Sequence, residues 1–289
     1  MSVRHWATEF DHFDPDYAAD PFTVWDELRT ACPVARSDRF REMVVPTRHA
    51  DIEAVARDTA TWSSRSPLVA DFGSMADLGF GDYLSQQIQR RLDEGMGDDL
   101  ISFLLQAQLD GRSLSADEVF GGCLLLLVAG IDTTWSAIGA SLWHPAANPA
   151  DQQRLRAEPD LLPTAIEELL RAYAPVTMAR EAVVDTELGG CPVRAGQPLL
   201  LPFPAANRDP ALFDRADEVL LDRSPNRHVA FGVGIHRCLG SHLARLEVTV
   251  AVERFLARVE RFEVAAEGAV RWSAGQVRGP RELPLALIR

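Results

Sequence analysis

Phe231-Gly232-Val233-Gly234-Ile235-His236-Arg237-Cys238-Leu239-Gly240 sets a cysteine between a glycine-punctuated loop and a helix-forming run expected over 239–259. Glycines permit backbone shapes that other residues resist and let a flat ligand approach the main chain closely. The N–H groups at a helix start carry partial positive charge, which favours an anionic sulfur and hence a thiolate metal ligand. An unreactive cysteine buried in a glycine-rich turn is the plainer reading of such a residue standing alone.

Upstream, Ala129-Gly130-Ile131-Asp132-Thr133-Thr134 interrupts the most apolar run of the chain with an acid and two alcohols. Burying such groups is costly unless they are hydrogen-bonded or functional. Threonine can bond back to the carbonyl one turn earlier, and Gly130 leaves room beside it, so the pattern reads as a notch for a small molecule or as a satisfied polar kink. Asp132 and Thr133 are adjacent and so cannot share a helix face, which favours a water-linked relay over a direct pair. Between these stretches, Glu168-Leu169-Leu170-Arg171 sets opposite charges three residues apart on one helix face, the spacing of an ordinary solvated ion pair.

In this order, A-G-x-D-T at 129–133, E-x-x-R at 168–171 and F-G-x-G-x-H-x-C-x-G at 231–240 resemble the cytochrome P450 family of soluble, bacterial type. The resemblance implies a mainly α fold with small β-sheets (α+β) and a haem b whose iron takes the Cys238 thiolate as axial ligand. A thiolate there pushes electron density toward dioxygen and favours O–O cleavage. Phe231, Gly232, His236, Gly240 and Arg180 are the implied haem-binding residues, with Arg180 and His236 at the propionates. Asp132 and Thr133 are the implied oxygen-activating pair. Glu168, Arg171 and Arg223, the last in Asp222-Arg223-Ser224-Pro225-Asn226, are the implied structural network. The implied reaction inserts one oxygen atom from O2 into a small organic substrate. No G-x-G-x-x-G opens a strand-to-helix turn, so electrons are expected from a ferredoxin and its ferredoxin reductase. Arg227, Arg237 and Arg245 read as a docking patch for that donor or as solvated charges.

The sequence also departs from the family's pattern. Family members are longer, and the gap falls in a Ser-, Pro- and Gly-rich stretch between Ser63 and Gly81. There, members carry helices that cross the distal haem face, one of which donates a Trp or His to a propionate. This chain has no His between His49 and His144 and no Trp between Trp62 and Trp135. The expectation is therefore one domain over 1–289: an N-terminal part at 1–63, a junction at 64–80 where the distal helices are missing, and a haem-binding core at 81–289. Loss of that cover admits water, so a non-catalytic haem-binding remnant is the rival reading. A structural zinc protein using His228, His236, Cys238 and His242 is a third, weakened by the lack of paired ligand spacings.

The chain has 289 residues, 47% hydrophobic and 25% charged, which is a globular composition able to bury a large core. Forty-two acidic against 29 basic side chains give a net charge of -13, the wrong sign for a nucleic-acid partner. Residues 1–20 lack a signal-peptide core, and the four dispersed cysteines form no C-x-x-C, so a cytoplasmic location is expected. The nine-residue apolar run at 123–131 is short for a membrane span, and no membrane association is expected. Periodicity predicts helices at 21–31, 51–57, 83–92, 98–109, 116–143 and 163–173. It predicts a strand at 43–45 and short strands within 182–201. Ser115 and Glu118 form a capping box at the head of the long helix, which is apolar on nearly every face and is expected to be buried on all sides.

Overall fold

A computed structural model describes residues 5–38, 40–65, 80–266 and 268–288. Its helices are α1 (Trp6–Glu9), α2 (Pro15–Ala19), α3 (Pro21–Ala31), α4 (His49–Arg57), α5 (Phe80–Glu94), α6 (Leu100–Gln106), α7 (Ala116–Ala147), α8 (Pro149–Ala157), α9 (Leu162–Ala172), α10 (Phe203–Ala206) and α11 (Ser241–Arg258). The strands are β1 (Val34–Arg36), β2 (Val44–Pro46), β3 (Trp62–Ser63), β4 (Gln108–Leu109), β5 (Arg112–Ser113), β6 (Thr177–Ala182), β7 (Thr186–Leu188), β8 (Cys191–Val193), β9 (Pro198–Pro202), β10 (Arg261–Val264), β11 (Arg271–Trp272), β12 (Pro280–Glu282) and β13 (Leu285–Ile288). The chain forms two compact units, one of Met1–Val69 with Thr133–Arg289 and one of Ala70–Asp132, the boundary falling inside α7.

The larger unit holds a five-stranded sheet in the order β1-β2-β9-β6-β3, with β2 parallel to β9 and the other pairs antiparallel. Its central strand β9 reads Leu199-Leu200-Leu201 because both faces are covered. Alternation sends Leu199 and Leu201 into a core with Ile52 and Val55 of α4. Leu200 points the other way, toward Trp25 and Leu28 of α3. A third core joins Ile166, Leu169 and Leu170 of α9 to Val248 and Val252 of α11 and Ala137 of α7. Asp20 caps α3 by accepting from the Phe22 and Thr23 backbone N–H groups, with Pro21 at the first helical position.

In the smaller unit, Leu84 and Ile88 of α5 pack on Val119 and Cys123 of α7, four residues apart on each helix. Asp99 caps α6 and also accepts from Arg91 Nε at 2.9 and 3.0 Å. The capping box of α7 closes in both directions: Glu118 N donates to Ser115 Oγ at 3.2 Å, and Ser115 N donates to Glu118 Oε2 at 2.9 Å.

Several expectations need correction. The helix expected over 98–109 ends at Gln106, because Asp110 and Gly111 both take positive φ and turn β4 back onto β5. The long helix runs past Pro145 to Ala147, a proline costing one intrahelical bond near a helix end. Nor is α7 buried on all sides. Its C-terminal part is a core helix, with Ser136, Ala140, Ser141 and His144 buried, but Leu125 is 66% exposed and Ile131 54%. One face of its first half is covered through Val119 and Cys123, and an all-round apolar surface records a need for cover without supplying it. By length and composition α7 also reaches what a bilayer span requires, although its most apolar run, 123–131, is nine residues long. The junction expected over 64–80 lies, apart from Ser64, Arg65 and Phe80, outside the described residues.

Candidate functional site

The loop before α11 is built by its own backbone. Gly232 N donates to Val229 O, a 3-10 turn spans Gly234–His236, and Cys238 N donates to Phe231 O at 2.8 Å. Gly232 and Gly234 take φ of 68° and 78°. At Gly234 a side chain would also collide, since a Cβ would lie 2.9 Å from the Ala56 carbonyl oxygen at the end of α4. Gly240 is the N-cap residue of α11 and lies against the sulfur, its hypothetical Cβ 4.0 Å from Cys238 Sγ. Cys238 itself is an exposed free thiol, two residues ahead of that cap.

Behind this loop stands a cluster anchored on Glu167 of α9. Arg245 of α11 donates to both Glu167 oxygens, Nε to Oε1 at 2.6 Å and Nη2 to Oε2 at 2.9 Å, while His228 Nε2 lies 3.0 Å from Oε2. Burial alone would raise the Glu167 pKa, but the bonds to His228 and Arg245 outweigh it and hold it at about 2. Arg245 also lies over the Phe231 ring, 4.4 Å from its centroid, and His228 Nδ1 accepts from Ala230 N at 3.2 Å. Arg245 is thus committed inward, which removes it from the docking patch weighed with Arg227 and Arg237. His228 is likewise turned to Glu167, and among the described residues no group of three or more potential ligands could hold a metal ion, so the zinc reading has no site there.

Beside it lies a fully buried network. Arg171 donates from Nε to Glu168 Oε2 at 2.7 Å and from Nη2 to Oε1 at 2.9 Å. Arg223 Nε reaches both Glu168 oxygens at 3.0 Å, and Asn226 Nδ2 and Leu220 N complete the shell of the carboxylate. Glu168 and Arg171 have no exposed surface. Arg171 spends its remaining donors on the carbonyls of Asn207, Ala216 and Glu218, so every charge is met and the segment from 207 to 226 is tied to α9.

Arg180 sits on β6, buried, and donates from Nη1 to the Ala179 carbonyl at 2.7 Å. Burial lowers its pKa, and among the described residues no carboxylate opposes the effect, which leaves a desolvated cation without a counter-ion there. His236 is exposed in the cysteine loop, while Asp132 and Thr133 follow one another on α7, each half-buried. Sequence reasoning missed Glu167 and weighed His228 only as a metal ligand. The sole available signal for Glu167 was a second acid beside Glu168, and nothing in the spacing pairs it with residues 228 and 245.

These residues suit a haem. An accessible sulfur in a loop whose glycines keep side chains clear, next to a helix start, fits an iron ligand, and the unneutralised Arg180 fits a propionate.

The family model for cytochrome P450 matches residues 79–271. The probable cytochrome P450 127A1 of Sinorhizobium fredii is 43% identical over 181 residues, covering 63% of this chain and 44% of that protein. Mycinamicin IV hydroxylase/epoxidase of Micromonospora griseorubida is 41% identical over 209 residues, covering 70% and 52%. The crystal structure of cytochrome P450 CYP101C1 superposes with a TM-score of 0.88 at 26% identity, over 98% of this chain and 97% of that one. The α+β architecture with its long α7 and its cysteine loop is that of a haem-thiolate protein. The chain belongs to the cytochrome P450 family, and it spans about half the length of the curated relatives it matches.

Proposed function

We propose that this chain is a haem-thiolate monooxygenase catalytic domain acting on a small lipophilic organic substrate. The observation that carries the reading is the exposed Cys238 thiol, held in its glycine loop by the bond from its own N–H to Phe231 O. Bound haem supplies reductive activation of dioxygen and transfer of one oxygen atom to a carbon centre. Cys238 would be the protein's ligand to its iron. Arg180 and His236 bind the propionates, the first as a buried cation and the second from the cysteine loop. Phe231 and Gly232 shape the loop behind the sulfur, and Gly240 leaves the thiol unobstructed. Thr133 Oγ1 and the Asp132 carboxylate hold and pass protons along α7, and Glu168, Arg171 and Arg223 fix the segment that leads into the cysteine loop. A ferredoxin with its reductase supplies electrons, in the cytoplasm. The lipophilic substrate class is supported by relatives named a mycinamicin hydroxylase/epoxidase and a steroid C26-monooxygenase.

A second reading, haem binding without turnover, is favoured by the apolar face of α7 that stays exposed among the described residues, since productive oxygen chemistry needs a dry enclosure. A carbon monoxide difference spectrum of the reduced protein, repeated on Cys238→Ala, tests thiolate ligation. Single turnover with a surrogate ferredoxin separates the readings: product favours the first, haem retention without product the second. No Soret shift in the wild type, or the same shift in Cys238→Ala, defeats both.

A further inference from the structure

Tyr173, just past the end of α9, bonds to a histidine that is itself held by an acid. Its hydroxyl oxygen lies 2.8 Å from His144 Nδ1, and His144 Nε2 lies 2.8 Å from Asp151 Oδ2. Asn148 Nδ2 donates to the His144 carbonyl at 2.8 Å and approaches Nδ1 at 3.3 Å. These partners fix the tautomer. A carboxylate only accepts, so Nε2 carries the ring proton. The amide nitrogen of Asn148 only donates, so Nδ1 is an acceptor and the Tyr173 O–H is directed at it. Burial lowers the His144 pKa against the pull of Asp151, which keeps the ring neutral and able to take a proton. Burial also pushes the Tyr173 phenol up to about 12, so at neutral pH its proton is in place.

The same phenol touches a path for an electron. Trp143, next to His144 on α7, meets the Tyr173 ring edge-on at 5.4 Å between centroids and the Trp272 ring at 5.2 Å. Trp143, Trp272 and Glu263 line a surface cleft of about 470 Å³. Arg278 lies 4.2 Å over the Trp272 ring, and a guanidinium there opposes a second positive charge on that indole. Trp143 is therefore the ring through which an electron leaves. Arg208, 6.0 Å from the Tyr173 centroid, opposes a cation on the phenol in the same way, so the phenol gives up an electron only as its proton departs. The triad, both indoles and the cleft all belong to the larger unit.

We propose that Tyr173 is a redox-active tyrosine that reduces a cationic one-electron oxidant, an aromatic radical cation, at this cleft. One electron passes through Trp143 and returns the oxidant to its parent arene. The Tyr173 O–H bond breaks as an N–H bond forms at His144 Nδ1, leaving a neutral tyrosyl radical beside an imidazolium paired with Asp151. The step does not depend on haem. The full chain is to be oxidised with photogenerated tris-bipyridyl ruthenium(III), a cation with aromatic ligands, and followed by transient absorption and electron paramagnetic resonance. Tyr83, 59% exposed, is replaced by Phe throughout so that its phenol does not answer directly, and Tyr17 is retained in every variant. The expected result is a neutral tyrosyl radical that is missing in Tyr173→Phe, loses its fast phase in Trp143→Phe, and forms about a hundredfold more slowly in His144→Gln for want of a base. Should Tyr173→Phe fail to fold, the rate in Trp143→Phe decides the matter, since a phenyl ring cannot relay the electron. No tyrosyl radical in the parent, one that persists in Tyr173→Phe, or an unchanged rate in Trp143→Phe or His144→Gln overturns the proposal.

Discussion

Arg171 and Glu168 meet at 2.7 Å with neither side chain touching solvent, one helical turn apart on α9, and Arg223 closes on the same carboxylate from 55 residues away. Breaking such a set by removing one charge leaves the others buried and unbalanced. Glu168→Gln is therefore expected to lower unfolding free energy by about 3–5 kcal/mol, read from urea midpoints at unchanged slope. A loss under about 1 kcal/mol would show that the segment 207–226 is held by packing instead.

Arg180→Gln removes a buried cation whose side chain has no carboxylate beside it among the described residues. If it binds a propionate, haem transfer from the variant to an apoprotein acceptor should be roughly ten- to a hundredfold faster, the equivalent of one charged hydrogen bond. The free protein should gain stability from the same change, because an uncompensated buried charge has gone. Faster haem loss in a destabilised chain would point to a structural role only.

Gly234→Ala places a Cβ on left-handed backbone and against the Ala56 carbonyl. The backbone contribution alone is about 1–2 kcal/mol, and the loop is expected to yield before the fold does. The readout is a faster reaction of the Cys238 thiol with a disulfide reagent, in a protein whose far-UV circular dichroism is unchanged. Unaltered reactivity would mean that the loop absorbs the contact.

His12 is buried, with no hydrogen-bond partner at either ring nitrogen among the described residues, beside Phe13 at 4.3 Å and stacked on Phe40 at 5.4 Å between centroids. Burial lowers its pKa to about 4, against the opposing pull of Asp11. The folded pKa lies below the unfolded value, so the unfolded chain binds the proton more tightly and stability falls as pH drops from about 6.5 to about 4. The loss attributable to this residue is on the order of 3 kcal/mol. His144, lowered by burial despite Asp151, acts in the same direction. His12→Phe keeps the aromatic packing and should flatten the stability profile between pH 6.5 and 4. An identical slope in the variant would remove His12 from the account.

The cysteine loop, the E-x-x-R and the head of α7 were legible because each is local: glycine dihedrals, a three-residue spacing and a capping box all act within one turn. Asp110-Gly111 carried an equally local hairpin signal that apolar periodicity on either side masked. The Glu167, His228 and Arg245 cluster was not legible, since its members lie 61 and 78 residues apart and only the packing of α11 on α9 brings them together. The cover of α7 was misread for a related reason. Leu125 and Ile131 report that a surface is apolar, but which elements lie against it is decided by the rest of the chain.

The pairing of β2 with β9 has a consequence for biosynthesis. Val44 leaves the ribosome well before Leu199, its parallel partner, so the open edge of the N-terminal hairpin waits on the order of ten to thirty seconds during translation. Through that interval its unsatisfied amides and carbonyls are free to pair with another nascent chain, and growth at lower temperature or with extra chaperone should raise the soluble yield of this protein.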